Sequence, residues 1–210
     1  MKDFRFLAMT AALALAAIPA QARVEHLLPR AQSVELGTGT FAIGGESNLT
    51  DPTECELLAN FVKSMGTAGK PVTVSILSAI EGAYDYQLAG YDNEAYRLTV
   101  TPEEIRIEAV APIGVIRATQ TLMQLAEDAA DNSLEAVTIT DWPAFKLRGF
   151  MHDVGRSFIT ADELVHEIEL MSRFKVNTFH WHLTENQAWR FEVKAYPQLT
   201  SASSMTRFAG

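Results

Sequence analysis

The chain has 210 residues, a formal net charge of −9 and one cysteine. An acidic balance with no cluster of Lys and Arg argues against nucleic acid or an anionic membrane as partner, since both are bound through grouped cations. Cys55 has no second cysteine with which to form an intramolecular disulfide. Its neighbours Glu54 and Glu56 disfavour a thiolate, so a half-buried structural role is expected.

In chain order, the N-terminus reads first as an export signal. Lys2 and Arg5 form a basic start, Leu7 to Ile18 an apolar run, and Ala20-Gln21-Ala22 a small-residue cleavage site. The run falls short of the roughly 20 residues that span a bilayer. Cleavage after Ala22 and export to the periplasm or medium are therefore expected.

From Val24 to Asp141 the pattern is α+β. Strands are predicted around Phe41 to Gly44, Val72 to Leu77, Tyr96 to Val100 and Ile105 to Ala109, where β-branched and aromatic residues are bounded by turn residues. The last two, separated only by Thr101-Pro102-Glu103-Glu104, should form an antiparallel hairpin. A helix is predicted to start at Asp51, with Pro52 in its first position and Glu54 three residues after the cap. Its apolar face would carry Leu57, Leu58, Phe61, Val62 and Met65. A second helix, Pro112 to Asp128, repeats Val115, Ala118, Leu122 and Leu125 at helical spacing and should lie across the sheet.

After Asp141-Trp142-Pro143 the rhythm becomes strand, helix, strand. Leu147 to Asp153 reads as a strand, and Thr160 with Glu163 as a capping box. Leu164, Val165, Ile168, Met171 and Phe174 supply an apolar stripe, and Val176 to Leu183 reads as a second strand. Such a unit should be parallel and right-handed, the building block of a doubly wound sheet or a (β/α)8 TIM barrel. A barrel takes about 250 residues, and only 65 run from Lys146 to Gly210. The expectation is an incomplete barrel with sheet edges and an apolar face uncovered. The organisation expected is a signal over 1–22, an α+β domain over 23–143 and the start of a barrel over 144–210.

Three groups of residues carry chemistry: Arg148-Gly149 with Asp153 and Arg156, the run His180 to Gln187, and Trp189-Arg190. Barrel active sites gather at the C-terminal ends of strands, which favours Asp153 and Glu185. Period two puts His180 and His182 on one strand face. Three readings of that pair stand open: a polar face touching a ligand, two hydrogen-bonded histidines in a barrel core, or metal ligation beside a carboxylate. The five donors of Arg148 suit sugar hydroxyls or a carboxylate; the alternative is an internal salt bridge to Asp153 or Glu185. Arg156 reads as a structural ion-pair partner. Trp181, Trp189 and Tyr196 suit sugar stacking but read better as core.

The stretches Leu147 to Arg156 (LRGFMHDVGR), Lys175 to Arg190 (KVNTFHWHLTENQAWR) and Val193 to Thr200 (VKAYPQLT) resemble the start of the catalytic barrel of glycoside hydrolase family 20, the bacterial β-N-acetylhexosaminidases. Tyr96 to Val100, Ile105 to Ala109 and Gly114 to Leu125, with Thr119-Gln120-Thr121-Leu122 inside it, resemble the small α+β domain that precedes that barrel. The resemblance implies release of terminal β-linked N-acetylglucosamine or N-acetylgalactosamine with retention. The substrate's own acetamido oxygen would be the nucleophile, one of the exceptions to the two-carboxylate scheme. Chitin or peptidoglycan fragments and glycoconjugates are the implied partners, with no metal or organic cofactor.

The resemblance also implies an Asp-Glu pair on a later strand, Asp orienting the acetamido group and Glu serving as general acid and base. No Asp-Glu follows the second strand here, so the 210 residues alone are expected to be inactive. By resemblance, Arg148 binds hydroxyls of the terminal sugar, and Glu185 stands where many relatives have the first of two Asp residues. His182 and Asp153 frame the pocket. Glu185-Asn186 in place of an Asp pair and His152 in an usually apolar position are departures. The alternatives are a non-catalytic module binding carbohydrate or a partner protein, and a metal-dependent barrel hydrolase using His180 and His182.

Overall fold

The computed structural model describes residues 24–83, 94–129 and 132–201. The stretch expected to act as an export signal and the segment after Ser201 lie outside the described residues. The first region is a mixed sheet of β1 (Ser33–Ala42), β2 (Asn48–Thr50), β3 (Pro71–Ile76), β4 (Tyr96–Val100), β5 (Ile105–Ala109) and β6 (Ser133–Asp141), in the order β1-β6-β4-β5-β3-β2. The pairs β1/β6, β6/β4 and β4/β5 are antiparallel, whereas β5/β3 and β3/β2 are parallel. Two helices, α1 (Glu56–Met65) and α2 (Pro112–Glu127), accompany the sheet and touch each other.

Alternation explains the centre of this sheet. Tyr96, Leu98 and Val100 on β4 and Ile105, Ile107 and Ala109 on β5 are buried with period two. Their hairpin is closed by the Thr101 N–H on the Glu104 carbonyl at 2.9 Å, while the Thr101 hydroxyl accepts from the N–H groups of Glu103 and Glu104. Buried Val115, Ala118 and Leu122 lay α2 on the strands. Gly114 permits that approach: a Cβ there would stand 2.7 Å from the Ala95 carbonyl oxygen.

Three expectations needed correction. α1 begins at Glu56 rather than Asp51, because the Asp51 carboxylate accepts from the N–H groups of Thr53 (2.8 Å) and Cys55 (2.9 Å), making a turn instead of a helical cap. Glu54 there sits at φ 53, outside the right-handed helix. β1 starts at Ser33, well before Phe41; an irregularity between Leu36 and Thr40, with Gly39 at φ 90, breaks its alternation. β6 was not expected as a strand: its alternation, present from Ser133 to Ala136, is interrupted where Ala136-Val137 and Ile139-Thr140-Asp141 are consecutively buried. Cys55 is half-buried against the core as expected.

The second region is β7 (Gly149–Asp153), α3 (Ala161–Arg173) and β8 (Thr178–His182), with β7 and β8 parallel from Gly149 opposite Thr178 to Asp153 opposite His182. Both bonds of the Thr160/Glu163 capping box are made. Leu164 is buried, but Val165 is 54%, Met151 51% and Trp181 47% exposed. The uncovered apolar face is thus present, while Trp181 and Tyr196, read as core, stand exposed.

Candidate active site

The two regions meet through polar groups. The buried Lys175 ammonium donates to Asp141 Oδ2 (2.7 Å) and to the Tyr96 hydroxyl (2.9 Å), which lies 2.6 Å from Thr121 Oγ1. Burial pushes the Lys175 ammonium down, against the pull of Asp141. Burial and the Asp141 charge push the Tyr96 phenol well above its usual value. Beside it, Glu94 Oε2 takes Arg117 Nε at 2.7 Å and Arg148 Nη2 at 2.5 Å. Burial raises the Glu94 carboxyl, yet the two guanidiniums outweigh it and hold the group below its ordinary value. Gln120 and Gln124 donate from α2 to the Ser172 and Arg173 carbonyls at the end of α3.

Arg148 therefore belongs to this junction. Its Nε donates to the Lys175 carbonyl (2.8 Å) and its Nη1 to the Phe145 carbonyl (2.9 Å), so all three nitrogens are engaged just before β7 begins. The structure does not bring it to Asp153, His182 or Glu185, and neither suggested salt bridge from Arg148 to Asp153 or Glu185 forms.

The other three candidates do come together, at the C-terminal ends of β7 and β8. The chain turns sharply after Asp153, whose Oδ1 accepts the Arg156 N–H at 3.1 Å. That turn carries Arg156 back over the strand ends. Its Nη1 lies 3.0 Å from Asp153 Oδ2 and its Nη2 2.5 Å from Glu185 Oε1. His182 Nε2 lies 3.5 Å from Glu185 Oε2. Glu185 is presented by a tight loop in which its N–H donates to the Ala188 carbonyl and the Arg190 N–H to the Leu183 carbonyl. Gly155 sits close between the acids: a Cβ there would stand 3.0 Å from the Glu185 Cβ and 3.1 Å from Asp153 Oδ1, so those side chains would have to give by a few tenths of an ångström.

This cluster is built to hold a cation in place. The hydrogen bond from Arg156 lowers the Glu185 carboxyl, against burial. Burial raises Asp153, but the N–H and charge of Arg156 and the nearby His182 bring it below its ordinary value. Glu185 in turn raises Arg156. Both acids are ionised at neutral pH, so the group can orient hydroxyls but has no carboxylic proton to deliver. The Arg156 side chain remains 53% exposed, which leaves donors for a ligand.

Arg156, read from the sequence as a structural ion-pair partner, makes such pairs here with Asp153 and Glu185. The signal was available: an Asp followed three residues later by an Arg, just past a strand's C-terminal end. A separate cavity of about 500 Å³ has a lining that includes Phe158, Leu164, Trp181, Trp189 and Arg190, and none of Asp153, Arg156, His182 or Glu185. The Arg190 guanidinium stacks over Phe158 at 4.9 Å. His180 and His182 meet edge to face at 5.9 Å. Among the described residues no three His, Cys, Asp or Glu side chains are grouped to hold a metal ion.

Comparison with known proteins covers both regions. Residues 25–142 match the family model "Glycosyl hydrolase family 20, domain 2", and residues 145–209 match "Glycosyl hydrolase family 20, catalytic domain". A β-hexosaminidase of Vibrio furnissii is 36% identical over 192 residues, covering 87% of this chain and 30% of that protein. One from Porphyromonas gingivalis is 42% identical over 125 residues, 56% of this chain and 16% of that protein. Among solved structures, the GH20 exo-β-N-acetylglucosaminidase of Vibrio harveyi in complex with N-acetylglucosamine aligns with a TM-score of 0.66 at 27% identity, over 84% of this chain and 28% of that one. The chain thus spans less than a third of the length of these relatives.

Proposed function

Because this chain belongs to glycosyl hydrolase family 20, we propose that it forms domain 2 and the opening β-α-β unit of an exported β-N-acetylhexosaminidase. Residues 1–22 would direct export, 23–143 would form the α+β domain, and the catalytic barrel would begin at 144. The substrate would be a glycan ending in β-linked N-acetylglucosamine or N-acetylgalactosamine. Support for this substrate class comes from the Vibrio harveyi relatives, one described as an N,N'-diacetylchitobiase and one solved in complex with N-acetylglucosamine.

The observation that carries this reading is the Asp153-Arg156-Glu185 cluster at the strand ends, where barrel enzymes place their substrates. In it Arg156, rather than Arg148, offers its free donors to hydroxyls of the terminal sugar. Asp153 and Glu185 hold the guanidinium fork at a fixed angle, and Arg148 keeps the barrel seated on domain 2. A general acid must carry a proton at working pH; with both local acids held ionised, that task falls to the Asp-Glu pair implied for a later barrel strand. The leaving-group oxygen is protonated there, and the acetamido oxygen of the substrate attacks its own anomeric carbon.

The test is hydrolysis of a chromogenic β-N-acetylglucosaminide by two proteins: the 210-residue chain, and the same chain continued by the remainder of a family 20 catalytic domain. Release of sugar with retained configuration by the longer protein alone is expected. Turnover by the 210 residues would overturn the assignment of proton transfer to a later strand. A folded longer protein that releases nothing would overturn the hydrolase reading itself.

A further inference from the structure

We propose that His182 is a positioning residue, donating from Nε2–H to the second oxygen of Glu185 and so locking the carboxylate that aims Arg156; this rests on the sugar-binding reading of the cluster.

Three observations lead there. His182 Nε2 is shielded from solvent and has no hydrogen-bond partner, a costly state for a polar atom. The acid facing it is Glu185, whose Oε2 is 3.5 Å away, while the other oxygen of the same carboxylate is held by Arg156 Nη2 at 2.5 Å. Across the ladder His182 stands opposite Asp153, the second acid on Arg156. The imidazole thus sits between the two carboxylates that fix the guanidinium.

The chemistry selects one tautomer. An Nε2 lone pair pointed at a carboxylate oxygen is repelled, whereas Nε2–H closes a charge-assisted hydrogen bond with a small movement of either group. Glu185 needs the second tether. One bond from Arg156 leaves its three side-chain torsions free to swing the carboxylate about that contact, and the fork would swing with it. A second donor on the opposite oxygen removes that freedom, which makes the effect one on ligand affinity rather than on bond breaking.

Nitrogen-15 spectra of the histidine rings in the full chain read the tautomer directly. His182 should show a protonated Nε2, and its resonance should shift in E185Q, where the acceptor loses its charge. A bare Nε2 with the proton on Nδ1, or a resonance indifferent to E185Q, would overturn the proposal. In the longer, active protein, His182→Phe should raise KM about tenfold with kcat nearly unchanged, the signature of lost ground-state binding. His182→Gln, whose amide places a donor near the Nε2 position, should bring KM back to within about twofold of the parent. Equal KM values for Phe and Gln variants that melt alike would also overturn it. Lack of turnover in the parent protein would count against the hydrolase reading alone, since the tautomer is read without substrate.

Discussion

The sheet region and the β7-α3-β8 unit differ in where their order comes from. In the first, Phe41, Leu58, Leu98, Ile105, Ile107, Leu122 and Ile139 form one cluster that water does not reach. In the second, Leu164 is the buried residue of α3, while Val165, Ile168, Phe150, Met151 and Trp181 face outward. The second unit is instead held by specific polar links to the first: Lys175 on Asp141 and Tyr96, Arg148 on Glu94, and two glutamines of α2 on the end of α3. One region contains its own hydrophobic core; the other takes its register from a neighbour's charges.

Breaking the junction should therefore have the largest effect. Lys175→Met leaves Asp141 buried without its cation, and loss of one partner of a buried pair costs about 3–5 kcal/mol. Urea unfolding should show this cost, and limited proteolysis should cut the 145–201 segment first. A loss under about 1 kcal/mol would mean that the two regions do not depend on this link.

The contrast in cores comes next. Leu122→Ala, in the centre of α2, should cost about 2–5 kcal/mol, whereas Val165→Ala on the open face of α3 should stay within about 0.5 kcal/mol. Similar costs in denaturant titrations would erase the distinction between the regions.

Glu94 adds a pH dependence with a definite sign. Its carboxyl is held below the ordinary value in the folded protein, so the stabilisation it brings is fully present above the unfolded carboxylate pKa. That contribution is lost as pH falls through the lower folded value. The difference in urea midpoint between the parent and Glu94→Gln should be steady near neutrality and shrink in acid. A difference that grows in acid would contradict the assigned direction.

The smallest expected effect is at the α3 cap. Thr160→Ala removes the acceptor for the Glu163 N–H and should cost about 1 kcal/mol by thermal unfolding, confined to a helix with little packing to compensate.

Where periodicity was clean, the fold was legible. The alternation of β4 and β5, the stripe of α2 and the Thr160/Glu163 box are local signals, and each formed as read. β6 escaped because consecutive burial from Ala136 on interrupts its alternation, and the start of α1 was displaced because Asp51 satisfies a turn as well as it would a helix. The site was half legible for a similar reason. Asp153 and Glu185 follow from the rule that barrel sites lie at strand C-termini, and His182 from the resemblance of its strand. That Arg148 stands apart from these three required knowing that Glu94, 54 positions before it, would claim its guanidinium. No spacing within the motif carries that information.

The most direct measurement is kcat/KM for the Arg156→Ala and Arg148→Ala variants of the longer protein on a β-N-acetylglucosaminide, normalised to folded enzyme. Arg156→Ala should lower it by about 100-fold or more, as expected when charged hydrogen bonds to substrate are lost, while Arg148→Ala should mainly lower stability and leave kcat/KM within about threefold. The reverse pattern, with Arg148→Ala abolishing turnover in a stable protein and Arg156→Ala indifferent, would place the sugar at the other end of β7 and contradict the assignment of the site.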